Sequence, residues 1–151
     1  MIGEMTSKQI DQLLSAEMIG RIGCYADGKV YVVPVTYAYS NGCIYAHSSE
    51  GSKIRMMRGN PEVCFEVEHV ENMSNWQSVI THGTFEELIG EEASRAMEML
   101  MERFLPFLGS TSETMPAPHR PGPGSAAHSG NHQAVVYRIC LRERSGRYET
   151  R

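Results

Sequence analysis

No apolar run in this chain approaches the roughly 20 residues that a membrane-spanning helix requires. Its first residues, Met1-Ile2-Gly3-Glu4-Met5, lack the basic-then-apolar layout of a secretory signal, so a cytoplasmic location with no membrane partner is expected. Cationic excess is missing too: 14 Lys and Arg stand against 18 Asp and Glu, for a net charge of −4. That balance argues against a nucleic-acid partner held by phosphate neutralisation. Cysteine is sparse. Cys24, Cys43, Cys64 and Cys140 form no C-x-x-C pair, and three of them stand in apolar, strand-like runs. Small buried thiols are therefore expected in preference to a disulfide or a zinc site. Ser-x-x-Lys, Gly-x-Ser-x-Gly and P-loop patterns are also missing, as is any internal repeat.

What remains reads as one globular domain over residues 1–151, since hydrophobic residues make up 41% and charged residues 21%. Thr6 and Gln9 fit a capping box, Met5 and Ile10 a hydrophobic staple, and Ile10, Leu13 and Leu14 an apolar stripe: a first helix. Residues 19–26, 29–39 and 43–47 are three strands separated by Asp27-Gly28 and Asn41-Gly42, hairpin turns that favour positive φ. Tyr31, Val33, Val35, Tyr37 and Tyr39 share one face of the second strand. Pro34 cannot donate to a ladder, which places it on an edge or at a bulge.

A short helix ends at Gly59-Asn60-Pro61. Residues 62–70 alternate, with Val63, Phe65, Val67 and His69 on one side and Glu62, Cys64, Glu66 and Glu68 on the other. Glu66, Glu68 and Glu71 read as a solvated strand face. Residues 76–88 form a long strand in which Gly83 signals a bend or bulge. Residues 91–104 are a helix with Ala93, Ala96, Met97, Leu100, Met101 and Phe104 at helical spacing and a Glu91–Arg95 pair on the polar side. Residues 106–131 turn to Pro, Gly, Ser, Thr and His, a long loop before a strand at 133–141. His128 and His132, with His119 nearby, lack the cysteine or carboxylate partners of a metal site, so no metal is expected. A turn at Ser145-Gly146 then leads to a ragged end. Six strands joined by tight turns, with helices around them, point to a mainly β, small antiparallel barrel with peripheral helices.

The stretch Ala46-His47-Ser48-Ser49-Glu50-Gly51-Ser52-Lys53, followed by Ile54-Arg55-Met56-Met57-Arg58, carries the chemistry. It leaves a strand through small polar residues and opens a helix bearing three cations. Unpaired N–H groups at a helix start attract phosphate, small residues allow close approach, and Lys53 adds a full charge. The same pattern also fits an ordinary strand-to-helix connection with a solvated basic face.

Three segments together resemble the pyridoxamine-phosphate-oxidase-like flavin-binding proteins, in the branch that includes nitroimidazole-resistance proteins. They are Gly20-Arg21-Ile22-Gly23 leading to Tyr31-Val32-Val33-Pro34-Val35-Thr36-Tyr37; Ile44-Tyr45-Ala46-His47-Ser48 with Gly51-Ser52-Lys53; and Asn60-Pro61-Glu62-Val63-Cys64-Phe65-Glu66-Val67 leading to Trp76-Gln77-Ser78-Val79. The resemblance implies a six-stranded antiparallel split β-barrel of Greek-key type and a homodimer with FMN in two interface clefts. Ser48, Ser52 and Lys53 match the phosphate-cradling segment, with Arg58 as a further phosphate helper. Pro34, Val35 and Thr36 match backbone along the flavin ring, and Trp76 and Ser78 match ring contacts from a neighbouring strand. His47 matches a position beside the cofactor and is the candidate catalytic residue; the alternative is a strand-end histidine bonded to backbone. Trp76 is otherwise a core or interface residue.

The function implied is an FMN-dependent oxidoreductase that takes hydride from NAD(P)H and reduces a small acceptor such as a nitroaromatic. Two alternatives stand beside it: a non-enzymatic flavin carrier or sensor, and a haem-binding split barrel with His47, His69 or His82 as axial ligand.

Overall fold

The computed structural model describes residues 1–108 and 134–151. The loop expected at 106–131 lies outside the described residues from position 109 onward, as do His119, His128 and His132. Eight strands and three helices follow in the order β1 (Ile2–Glu4), α1 (Ser7–Ala16), β2 (Ile19–Ala26), β3 (Lys29–Thr36), β4 (Ala38–Ser40), β5 (Cys43–Ser48), α2 (Ser52–Gly59), β6 (Glu62–Asn72), β7 (Asn75–Leu88), α3 (Gly90–Leu108) and β8 (Val135–Glu149). They form a single sheet with the path β3-β2-β6-β7-β8-β5-β4, and β1 pairs with the far end of β8. All pairings are antiparallel.

Local chemistry accounts for most boundaries. The capping box forms as expected, with Thr6 Oγ1 accepting from Gln9 N–H and Gln9 Oε1 accepting from Thr6 N–H. Asp27, Gly28, Asn41 and Gly42 all take positive φ in the two hairpin turns. Pro34 lies on β3, which pairs only with β2 and is a sheet edge, so its missing donor faces no partner strand. Gly83 stands at the register shift between β7 and β8, where a Cβ would come within 2.5 Å of the Cys140 carbonyl oxygen.

Four expectations are corrected. The second strand does not run unbroken through 29–39. Tyr37 divides it: the residues before it pair with β2 and those after it with β5, and at this change of partner its N–H donates to the Met18 carbonyl at 3.1 Å while its ring enters the core. Together with β1, this division raises the strand count from six to eight. The Ser145-Gly146 turn is absent: both residues continue β8, opposite Ile80 and Val79. The helix expected to end at Phe104 continues to Leu108 and carries Pro106 within it.

The fourth correction concerns the thiols. Cys43 and Cys140 form a disulfide, while Cys24 and Cys64 are free. The two bonded residues are 97 positions apart but directly opposite in the β5–β8 register. That juxtaposition belongs to the sheet topology and has no local signature.

The inner face of the sheet encloses one core. Ile22, Tyr37, Ile44, Phe65, Val67, Val79, Tyr137 and Ile139 are fully buried there, with Leu14 of α1 and Ile54 and Met57 of α2. A second, smaller cluster seats Ala96 of α3 on Leu88 and Val136. None of the described helices is long and apolar enough to cross a membrane.

Candidate functional site

The helix α2 starts immediately after β5, and its first turn is open. Gly51 is its N-cap and has no side chain to accept from the turn, and the first intrahelical bond is Arg55 N–H to the Gly51 carbonyl at 3.1 Å. The N–H groups of Ser52, Lys53 and Ile54 therefore have no helical acceptor, which leaves partial positive charge at this end. Lys53 and Arg55 make no ion pair among the described residues. Ser52, Arg55 and Met56 face Ala26, Asp27 and Lys29 of the β2–β3 hairpin across a cleft of about 380 Å³. Such a set of donors suits an anion of high charge.

Arg58 is placed differently from Arg55. Its guanidinium donates to both carboxylate oxygens of Glu50 (2.7 and 3.0 Å) and both of Glu87 (2.7 and 3.0 Å). Arg58 thus ties the loop before α2 to the end of β7, and its donors are already engaged. Arg55, one helical turn earlier, is the cation beside the cleft.

His47 and Ser48 close β5 opposite Val136 and Val135. Burial holds the His47 imidazole below its ordinary pKa, which favours the neutral ring. The Ser48 hydroxyl donates to the Ser49 carbonyl at 2.9 Å.

Pro34, Thr36 and Ser78 share the outer face of the β3-β2-β6-β7 sheet, with β2 and β6 between them. Pro34 lies opposite Arg21, Arg21 opposite Glu66, and Glu66 opposite Ile80. Arg21 donates to Glu66 (3.4 Å) and Glu68 (3.2 Å), and the Ser78 hydroxyl donates to Glu66 (3.3 Å). The carboxylates expected to form a merely solvated face are thus tied in part to Arg21. Burial, then repulsion from Glu68, raises the Glu66 pKa, and Arg21 and Ser78 oppose the rise. Val35 points to the inner face beside the core. Trp76 is half-buried near the start of β7, and its indole N–H donates to Glu149 at 3.1 Å beside a cleft of about 210 Å³.

Eight of the ten sequence-predicted residues fall into two groups, while Val35 packs against the core and Arg58 is held by Glu50 and Glu87. One is His47, Ser48, Ser52 and Lys53; the other is Pro34, Thr36, Trp76 and Ser78 on the outer face. Ser48 is opposite Val135 and Ser78 opposite Arg147. Those twelve positions of β8 (147 − 135) correspond to about 40 Å measured along an extended strand. Arg21 and Lys29 are not site candidates on sequence grounds, and Arg55 stands there behind Arg58. Arg21 was within reach of sequence reasoning, since a hairpin at Asp27-Gly28 sets it opposite Pro34. Lys29 and Arg55 needed the packing of α2 against the hairpin.

An uncharacterised protein of Rhizobium meliloti (strain 1021), RA0666, is 33% identical over 84 residues, and the match spans 56% of each chain. The structure of an FAD-binding protein from Mesorhizobium loti, mll6688, aligns over 100% of this chain and 98% of its own, with 26% identity and a TM-score of 0.78. A candidate 5-nitroimidazole antibiotic resistance protein from Bacteroides thetaiotaomicron aligns over 98% and 87%, with 20% identity and a TM-score of 0.69. At that identity the likeness shows the split-barrel fold and does not assign the chain to the nitroimidazole-resistance branch. Residues 6–148 match the family described as Pyridoxamine 5'-phosphate oxidase. That match takes in nearly the whole chain and every element of the site, and the chain belongs to this family.

Proposed function

We propose that this protein binds FMN and uses it as an oxidoreductase, accepting hydride from NAD(P)H and reducing a small acceptor such as a nitroaromatic. The observation that carries the reading is the open first turn of α2, with Lys53 within it and Arg55 beside the cleft. FMN requires a dianion site, a slot for a flat ring and a few polar groups at the ring edge. The donors around Ser52 and Lys53 fit the phosphate. Backbone at Pro34, Val35 and Thr36, on an edge strand whose outward polar groups face no partner strand, fits the ring edge. When bound, the flavin supplies the capacity to take up and release electrons; the chain's residues orient it and exclude water. His47, half-buried at the end of β5 where burial favours the neutral ring, is the residue on hand to bond an acceptor or to shape its pocket. The Mesorhizobium loti relative is described as FAD-binding, which makes the dinucleotide the competing flavin.

The reading includes a homodimer. Trp76 and Ser78 sit far along the β7–β8 ladder from Ser48, so a second copy is the simplest way to bring both groups to one ligand. The outer face offers apolar surface for it: Ile19, Val30, Val32 and Ile80 are 54%, 76%, 62% and 45% exposed. Titration of the purified protein with FMN, FAD and haem, followed by absorbance, tests the cofactor. Oxidation of NADH or NADPH with a nitroimidazole acceptor then tests the activity. A flavin spectrum with tightest binding of FMN is expected, in a particle twice the chain mass by light scattering. A haem spectrum, or no binding, defeats the proposal; flavin binding without turnover on either nucleotide leaves a carrier or sensor.

A further inference from the structure

We infer that Arg103 is a positioning residue for the ring-contact backbone at Pro34–Thr36, acting through Tyr37; this rests on the flavin reading above. Arg103 lies on α3, three residues after the buried Leu100, and so on the helix face that meets the sheet. Its guanidinium reaches three backbone carbonyls. Nε donates to Tyr37 O at 3.2 Å, and Nη2 donates to Ser15 O at 2.9 Å and Glu17 O at 2.7 Å.

Two of those carbonyls belong to the C-terminal end of α1, which has no basic residue in its own last turn. Arg103 supplies that missing cation from another helix, where the dipole and the orphan carbonyls favour it. The third carbonyl is at the break between β3 and β4, directly after Thr36. Tyr37 is held there on every side. Its N–H donates to Met18 O (3.1 Å), its hydroxyl donates to Leu14 O (2.7 Å), and its ring packs edge-on against Phe65 at 5.0 Å between centroids. Arg103 is the one contact in this set that comes from α3. It joins the end of α1 and the end of β3 into a single frame, and the strand that would line the ring ends in that frame. A planar fork with fixed donor directions suits three carbonyls from separate segments; a point charge on a flexible stem does not.

The test uses the full chain and two ligands, FMN and riboflavin, which share the ring and differ in the phosphate. Wild type, Arg103→Met, Arg103→Lys and Lys53→Ala are compared at a temperature where circular dichroism shows each to be folded. Arg103→Met is expected to weaken both ligands about tenfold, in the same ratio, and to shift the midpoint potential of the bound flavin. Arg103→Lys, which keeps the charge beside α1, is expected to recover thermal stability without recovering affinity. Lys53→Ala is expected to weaken FMN alone. If Arg103→Met does not fold, Arg103→Gln carries the same expectation. Lower melting temperature with wild-type affinities and potential would make Arg103 a tie within the fold only and overturn the inference. A wild type that binds neither flavin refutes the flavin reading, and this inference with it. That outcome is distinct from a wild type that binds while Arg103→Met binds equally well.

Discussion

Removing the Cys43–Cys140 bond is expected to be costly to stability, and the size of the effect follows from the topology. The bonded cysteines are 97 residues apart. Cross-linking a loop of that length removes denatured-state freedom worth about 4.7 kcal/mol on the chain-entropy account. At an unfolding entropy of about 2.1 cal/mol/K per residue, the whole chain loses about 15 °C in melting temperature. The six-pair β5–β8 ladder remains in the reduced protein and preserves the native fold, so the loss is expected through the denatured state. Urea unfolding of wild type with and without a phosphine reductant, beside Cys43→Ser/Cys140→Ser without it, measures the difference. The double variant should match reduced wild type and ignore the reductant. Thiol titration of unfolded, unreduced wild type should find the two free cysteines, Cys24 and Cys64. A double variant within about 1 kcal/mol of oxidised wild type would refute the entropic argument. Four titratable thiols would refute the bond itself.

Further outcomes are expected at the cation segment, the bulge and the half-buried histidine. Lys53→Ala should weaken FMN by about 1–3 kcal/mol, the scale of a charge-assisted hydrogen bond, as read by calorimetry; unchanged affinity removes Lys53 from the phosphate site. Gly83→Ala should cost about 1–3 kcal/mol in urea unfolding, because the added carbon would meet the Cys140 carbonyl at 2.5 Å and a backbone atom cannot step aside. Stability near wild type would mean that the β7–β8 bulge opens freely. Burial lowers the His47 pKa, so the unfolded chain binds this proton more readily than the folded one. The His47 contribution is therefore steady above the unfolded pKa of about 6.5 and is lost as pH falls from there toward the folded value. Comparing melting temperatures of wild type and His47→Gln across that range checks it: the gap should shift in favour of the variant on acidification, and a constant gap would contradict the assignment.

Elements whose signals are local were legible in the sequence. The capping box at Thr6 and the positive-φ turns at Asp27-Gly28 and Asn41-Gly42 each depend on a few neighbouring residues, and all stand where they were read. The break at Tyr37 was not legible. A run of alternating Val and Tyr favours continued strand, and the change of partner at Tyr37, from β2 to β5, is set by segments remote from it. The strand through Ser145-Gly146 escaped for the same reason: turn-forming residues are carried through by pairing to Val79 and Ile80. At the site, the His47–Lys53 segment was readable because strand, small residues and helix start are consecutive. The engagement of Arg58 was not, since Glu87 lies 29 residues away in sequence.

The contrast between Arg55 and Arg58 shows how the fold sorts two cations that sequence alone leaves nearly equivalent. Both sit on an eight-residue helix, and either could reach a phosphate at its start. Glu50 and Glu87 converge on Arg58, so recruiting it to a ligand would first require breaking charge-assisted bonds to two carboxylates. Both carboxylates are exposed, so those pairs contribute little to overall stability. Their effect is geometric: they hold the loop between β5 and α2 against the end of β7. An anion at the α2 start would then meet a loop already held in place and a cation, Arg55, already beside the cleft. Such an arrangement reduces the ordering cost that a mobile loop would add to binding.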